Sequence, residues 1–166
     1  MNQVKESSSI RKIETALRHY AFGDIVKVSK GDNVLATFIL CSCFIEQMAT
    51  FRYGKEVGGK EFKDFVEAYM KSYDPVKLRN DLRNKLVHNY SLGESYTLVQ
   101  GYKDLHLKLN ENTLIINLEN FIDDLGSALD TLMNEFKTNL EIRNNALKAL
   151  KDINIISGSE IQITID

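Results

Sequence analysis

The chain has 166 residues, of which 43% are hydrophobic and 27% are charged, a composition typical of a folded domain and not of a disordered segment. Its formal net charge of −2 excludes binding to long nucleic acid through the field of the whole molecule, because such proteins carry a strong basic excess. Any nucleic-acid activity must therefore depend on a local cluster of cations. The chain has one proline, Pro75, and no low-complexity stretch or internal repeat, so we expect residues 1–166 to form a single domain.

Hydrophobic residues recur at three- and four-residue spacing along most of the chain, which predicts a mainly α fold, a helical bundle. After a polar lead-in that Ser8 or Ser9 ends as a cap, helices are expected at about 10–28, 33–53, 60–72, 75–90 and 118–150, with a possible break near Asn139 in the last. The helix at 33–53 is apolar nearly all round, so it is predicted to be the buried, central helix.

The spacing changes to every second residue in parts of the C-terminal half, which is the period of a β-strand. Leucines alternate with polar residues over 104–109, and His106, as one of the polar residues, is expected to face solvent. We predict a small antiparallel sheet or hairpin appended to the bundle. Its strands are expected at about 96–99, 104–109, 114–118 and 160–165.

The two cysteines, Cys41 and Cys43, lie two residues apart in a predicted helix and so point to different sides of it. That spacing is unsuitable for a mutual disulfide, and two cysteines with three scattered histidines make a poor metal site. We expect both cysteines to pack in the core and no metal or other cofactor to be needed. The polar N-terminus lacks an apolar signal core, and the apolar run at 34–49 is too interrupted to span a membrane, so a cytoplasmic protein is expected.

The predicted helix at 75–90 carries the residues that indicate chemistry. Four apolar residues of this helix advance by four and form one predicted buried stripe: Leu78, Leu82, Leu86 and Tyr90. His88 follows Arg83 by five residues and lies about 140° around an ideal helix from it. The two side chains can meet only if the arginine bends toward the histidine, or if a second copy of the helix completes the cleft. We therefore expect a homodimer.

Arg83 and His88 are residue types suited to metal-independent cleavage of RNA. Histidine titrates near neutrality and can take a proton from the 2′-hydroxyl or give one to the leaving 5′-oxygen. A permanently charged arginine can stabilise the negative charge that develops at phosphorus. Asn84 could orient the ring or donate to phosphate. Two alternatives remain for these residues. His88 only interacts with the end of the helix, and Arg83 is a structural arginine paired with Glu46. Conversely, Glu46 orients the site.

The segment Arg83-Asn84-Lys85-Leu86-Val87-His88 resembles the Arg-x4–6-His motif of the HEPN superfamily, and with Asn89-Tyr90 it is similar to the Arg-x4-His-x-Tyr motif of HepT-type HEPN toxins. The long apolar helix before the motif and the long helix after it also agree with a HEPN bundle. The strands after residue 96 and the tail depart from the HepT pattern.

The resemblance implies a helical, commonly dimeric, metal-independent endoribonuclease of a toxin–antitoxin, defence or RNA-processing system. Arg83 and His88 would be its catalytic residues and Asn84 an accessory residue, with Glu46 beside them. Tyr90 would occupy the position that a partner nucleotidyltransferase modifies in HepT-type toxins. Since some members of the superfamily are not catalytic, the alternative is a dimerising module that binds RNA, a nucleotide or a partner protein.

Overall fold

A computed structural model describes residues 2–153 and 155, and the strand expected at 160–165 lies outside these residues. The described part of the chain is mainly helical with a small three-stranded sheet, which confirms the predicted fold class. Its six helices, numbered in chain order, are α1 (Asn2–Thr15, Ala16–Phe22 and Gly23–Val28, without interruption), α2 (Val34–Tyr53), α3 (Gly59–Tyr69), α4 (Pro75–Lys77, Leu78–Asn84 and Lys85–Asn89, without interruption), α5 (Leu118–Thr138) and α6 (Leu140–Asp152).

The sequence predicted the break in the last helix correctly, but it predicted the start of the first helix too late in the chain. α1 begins at Asn2 instead of about residue 10, because no proline or glycine separates the polar lead-in from the packed turns around Ile13, and a helix once formed propagates at little cost. The break near Asn139 is confirmed. The Asn139 side-chain oxygen accepts hydrogen bonds from the backbone N–H groups of Glu141 and Ile142 at 3.0 and 3.3 Å, and so caps α6.

α2 is the central helix, as its composition predicted. Phe38 and Phe44 are buried, and the helix packs against α3, α5 and α6. Leu40 is 37% exposed, so one part of the helix surface reaches solvent. Gly54 ends α2 in a left-handed conformation, with a φ of 67°, and an added Cβ there would lie 2.9 Å from the backbone of Asn145. Glycine is thus required both for the turn and for the close approach of α6.

Segment Val34–Tyr53 is long and apolar enough to cross a membrane by length and composition, with a mean hydropathy of 1.7. The prediction that this run falls short of a spanning segment is therefore wrong on that criterion alone. In the fold, 56% of the most apolar stretch is buried against the other helices, and the polar Ser42 and Thr50 side chains donate to the helix's own carbonyls. These features are typical of the core helix of a helical bundle.

The sheet contains β1 (Tyr96–Val99), β2 (Leu109–Asn110) and β3 (Thr113–Asn117) in the spatial order β1-β3-β2. β2 and β3 are antiparallel neighbours, as predicted for a hairpin. β1 pairs with β3 in parallel, with Tyr96 beside Leu114, so the prediction of a purely antiparallel sheet is wrong. The chain between β1 and β2 crosses over before it returns, which places β3 in the middle.

The strand predicted at 104–109 is wrong over most of its length. Lys103–Leu105 is a 3₁₀ turn, Leu107 has a φ of 57°, and β2 begins only at Leu109. The alternating leucines do not form one buried strand face, because Leu105 and Leu107 are half-buried in turns of the chain while Leu109 is 74% exposed.

His106 lies inside this turn, and its side chain is only 10% exposed, so the prediction of a solvent-facing histidine is also wrong. Its Nδ1 accepts a hydrogen bond from the backbone N–H of Asn117 at 3.1 Å, which leaves the ring proton on Nε2. Nε2 is 3.0 Å from the Tyr73 hydroxyl, which donates to the Asp124 carboxylate at 2.5 Å. Burial and this carboxylate raise the pKa of Tyr73 above its usual range. The network joins the turn to α5 and to the segment that precedes α4.

Tyr73→Phe is expected to lower the free energy of unfolding by about 1–2 kcal/mol, because Nε2 of His106 and the Asp124 carboxylate both lose the hydroxyl between them while the ring packing of residue 73 is kept. The measurement is equilibrium denaturation in urea at neutral pH. Tyr102→Phe is the control, since the Tyr102 side chain is 62% exposed. Equal midpoints for the two variants would contradict a stabilising role of the network.

Candidate functional site

The candidate site lies on α4, whose start is fixed by local sequence. Asp74 caps the helix by accepting hydrogen bonds from the backbone N–H groups of Val76 and Lys77 at 2.9 and 3.0 Å, and Pro75 occupies the first helical position. The segment Leu78–Asn84 then has π-helical hydrogen bonding. π-helical turns are rare and occur frequently at functional sites.

Arg83 and His88 are in direct contact within one chain. Nη1 of Arg83 lies 3.1 Å from Nε2 of His88. The prediction that the two residues are too far apart on one helix to form a compact site is therefore wrong. The arginine stem is long enough to bend along the helix surface to the histidine, which was the first of the two routes considered. A second copy of the helix is not needed to bring these two side chains together.

The Arg83 guanidinium is held by three side chains from two helices. Nη2 lies 2.8 and 3.1 Å from the two carboxylate oxygens of Glu46 on α2, and Nη1 also donates to Oδ1 of Asn84 at 3.1 Å. The Arg83 and Glu46 side chains are only 19% and 28% exposed. The predicted pairing of Arg83 with Glu46 is confirmed, and it fixes the guanidinium in an orientation from which Nη1 reaches His88.

The contact also determines which tautomer His88 adopts. An arginine has only N–H donors and no acceptor, so Nε2 of His88 must be the acceptor in this geometry. A neutral ring then carries its proton on Nδ1. His88 is exposed at the surface, and its unprotonated nitrogen faces Arg83. The pair thus places a cation and a basic nitrogen next to each other at a solvent-accessible position.

Tyr90 does not continue the apolar stripe of α4. Leu78, Leu82 and Leu86 are buried as predicted, whereas Tyr90 is 62% exposed. The reason is that α4 ends at Asn89, and Tyr90 adopts the left-handed conformation, with a φ of 50°, so the chain turns away from the core. The interpretation of Tyr90 as a core residue is wrong, and its hydroxyl is accessible.

Cys43 is a neighbour of the site that the sequence did not indicate. Cys41 is buried as expected, but Cys43 is exposed, so the prediction that both cysteines pack in the core is wrong for Cys43. Partial burial and the nearby Glu46 carboxylate raise the pKa of the Cys43 thiol, although Arg83 opposes the shift. The i, i+3 spacing from Cys43 to Glu46 on a predicted helix is the signal that would have revealed this proximity.

Asp81 binds the chain that follows α4 and forms no hydrogen bond or ion pair with Arg83 or His88 in the described part of the chain. Its carboxylate accepts a hydrogen bond from the Ser95 hydroxyl, and its backbone carbonyl accepts one from the backbone N–H of Gly93 at 2.8 Å. Asp81 therefore connects α4 to the start of the sheet. No local pattern in the sequence indicates these partners.

No family model, curated protein or solved structure matches this chain. The described residues also contain no cluster of three or more histidine, cysteine, aspartate or glutamate side chains that could hold a metal ion. The chemistry of the site must therefore be argued from its own side chains.

We expect His88 to be the Nδ1–H tautomer at a pH where the ring is neutral, because Arg83 occupies Nε2. The measurement is the pair of ¹⁵N chemical shifts of the His88 ring. In Arg83→Ala the restraint is absent, and the population of the Nε2–H tautomer should increase. His19, which is exposed on α1, is the control ring and should be unchanged by that substitution. A wild-type spectrum dominated by Nε2–H would contradict the contact.

Proposed function

We propose that the chain is a HEPN-type, metal-independent endoribonuclease of the toxin or defence class, with its reaction centre at Arg83 and His88. The observation that carries this proposal is the 3.1 Å contact between the Arg83 guanidinium and the unprotonated Nε2 of an exposed histidine. This contact joins the two residues of the Arg-x4-His motif in one chain. A cytoplasmic location is part of the same proposal, since cellular RNA is the substrate class.

His88 is proposed to serve as the general base. Its Nε2 lone pair can accept the proton of the ribose 2′-hydroxyl, whose oxygen then attacks the adjacent phosphorus while the bond to the 5′-oxygen breaks. The leaving 5′-oxygen takes up a proton from water, so the products are a 2′,3′-cyclic phosphate and a 5′-hydroxyl, and His88 later returns its proton to solvent. The nitrogen must first be released by Arg83, and an RNA phosphate provides the reason for release, because it is a stronger acceptor for a guanidinium than a neutral imidazole.

Arg83 is proposed to bind the scissile phosphate through Nη1 and to stabilise the charge that develops on its oxygens. Glu46 keeps Nη2 occupied, so only Nη1 is left to exchange its partners. Glu46 is therefore a positioning residue. Asn84, which shares Nη1 in the resting state, can hold the guanidinium or donate to a phosphate oxygen once the RNA is bound.

A homodimer is proposed from the surface around the site. Leu40 and Val87 are 37% and 36% exposed, Cys43 is exposed one turn after Leu40 on α2, and Tyr90 is exposed directly after α4. A second copy that covers these side chains would bring two Arg83–His88 pairs to one cleft. The Tyr90 hydroxyl at the rim is accessible to a partner nucleotidyltransferase, which is the proposed antitoxin.

One observation favours the second candidate function, a non-catalytic binding module. Nη1 and Nη2 of Arg83 are each shared between two protein acceptors, and its Nε is buried without a partner among the described residues. A guanidinium whose two terminal nitrogens are both engaged can act as a structural connection between α2 and α4. A binding module would leave the resting contacts in place, whereas the ribonuclease must break the contact between Arg83 and His88.

The dimer is tested by sedimentation velocity at micromolar concentration. The wild type should sediment as a dimer, and Val87→Asp should shift it to the monomer, because it places a charge among the apolar side chains of the proposed interface. Val76→Asp is the matched control, since Val76 is 50% exposed near the start of the same helix. A monomeric wild type, or equal effects of the two substitutions, would contradict the proposed interface.

His88→Ala is expected to lower the rate of RNA cleavage by about 10²–10⁴-fold, which is the usual contribution of a general base. The exposed ring contributes at most about 1 kcal/mol to the free energy of unfolding. The measurements are cleavage of single-stranded RNA in EDTA, identification of the product ends, and urea denaturation. Arg83→Ala should remove activity as well, but with a loss of stability, because Glu46 is then left half-buried without its partner.

His19→Ala is the control for this experiment, because it removes an exposed histidine from another helix and should keep full activity. A requirement for magnesium, or cleavage of DNA that lacks the 2′-hydroxyl, would contradict the proposed mechanism. If the wild type cuts no RNA and His88→Ala instead abolishes dimerisation or partner binding, the second candidate function is correct.

A further inference from the structure

Arg79 is an arginine of α4 that the motif does not include. Its guanidinium lies against Gly59 at the start of α3, where an added Cβ would be 2.7 Å from Cζ, 2.8 Å from Nη2 and 2.9 Å from Nε. Any side chain at position 59 would occupy the space that the guanidinium fills. The absence of a side chain on Gly59 therefore allows Arg79 to lie where it does.

Arg79 has no protein partner among the described residues: it forms no hydrogen bond or ion pair there. Arg83, four residues later, is held by Glu46, Asn84 and His88. Arg79 is only partly exposed, so its orientation is restricted by packing while its five donors stay without a protein acceptor. A half-buried guanidinium in this condition is suited to bind an anion.

The charge around Arg79 favours an anion as well. α4 contains Lys77, Arg79, Arg83 and Lys85 against Asp81 alone, a formal charge of +3 that leaves −5 for the rest of the chain. The Asp81 carboxylate is engaged by Ser95. Even with Arg83 paired to Glu46, cations exceed anions on the helix that bears the candidate site, which favours the approach of a polyanion to this helix.

Arg79 and Arg83 are four residues apart on α4, so they lie about one helical turn apart and on neighbouring parts of its surface. We propose that Arg79 binds a phosphate of the RNA strand next to the one that reacts at Arg83, so that the strand runs along α4. Arg79 is then a positioning residue that sets where the strand lies. This inference rests on the proposed ribonuclease function and names the path of its substrate.

Arg79→Ala is expected to weaken the binding of fluorescently labelled single-stranded RNA about tenfold, the effect of losing one charge-assisted hydrogen-bonded contact. Binding is measured by anisotropy in the His88→Ala background, where the RNA stays intact. The slope of log K against log salt should decrease in magnitude by about 0.7, which corresponds to one single-strand phosphate. In chains that retain His88, the KM for RNA should rise while kcat falls much less.

Three further variants separate a phosphate contact from a structural role. Arg79→Lys keeps the charge and should restore part of the affinity and of the salt slope, whereas Arg79→Gln keeps the stem and should behave like Arg79→Ala. Gly59→Ala displaces the guanidinium without removing it and should weaken binding in the same direction. Lys85→Ala is the matched control, since it removes an exposed cation from the same helix two residues beyond Arg83, on a different side.

The outcomes distinguish this inference from the proposed function. If the wild type binds and cleaves RNA but Arg79→Gln and Lys85→Ala change affinity and salt slope equally, the Arg79 contact is refuted and the ribonuclease stands. If neither the wild type nor His88→Ala binds RNA, both proposals are refuted. Specific loss of affinity and of salt dependence in Arg79→Ala and Arg79→Gln, with partial rescue in Arg79→Lys, supports the path along α4.

Discussion

The ion pair between Glu46 and Arg83 is the interaction on which the geometry of the site depends. It connects the central helix α2 to α4 through two short contacts, and both side chains are largely shielded from water. A pair in this position is worth more than the about 0–1 kcal/mol of exposed pairs but carries a desolvation cost, so its value is in orientation more than in net stability. Because Glu46 fixes Nη2, the planar guanidinium is oriented so that Nη1 points toward His88.

α2 can provide this carboxylate because of how it is packed. A helix that is apolar nearly all round has to be surrounded by others, and α3, α5 and α6 cover most of it. Its hydroxyl side chains bond to the helix's own carbonyls, so they require no partner from another element. Glu46 is the charged residue in the middle of this helix, and the pairing with Arg83 meets its need for a counter-ion. The same ion pair therefore neutralises the charge on the central helix and orients the candidate site.

Sequence patterns predicted the helical class, the central position of α2 and the residues of the candidate site. They failed where a three-dimensional arrangement replaced an ideal one. The ideal helix wheel separated Arg83 from His88, because it counts backbone angles and neglects the reach of an arginine stem. The alternation at 104–109 indicated a strand, but a 3₁₀ turn and the left-handed backbone of Leu107 interrupt the extended conformation there. Tyr90 followed the apolar spacing of α4 although the helix ends just before it. The three errors concern the reach of a long side chain, the course of a turn and the end of a helix. None of these is determined by the local spacing of hydrophobic residues.

The segment between β1 and β3 departs from a simple helical bundle, and its inner contacts indicate how it is integrated with the rest. His106 of this segment shares a hydrogen-bond network with Tyr73, the residue directly before Asp74, which caps α4. Loosening the turn around His106 thus removes a restraint on the first turn of the helix that bears Arg83. The segment and α4 are therefore coupled through Tyr73. A change of loop length in the segment would reach the candidate site by this route, although no residue of the segment touches Arg83 or His88 within the part of the chain that the structure describes.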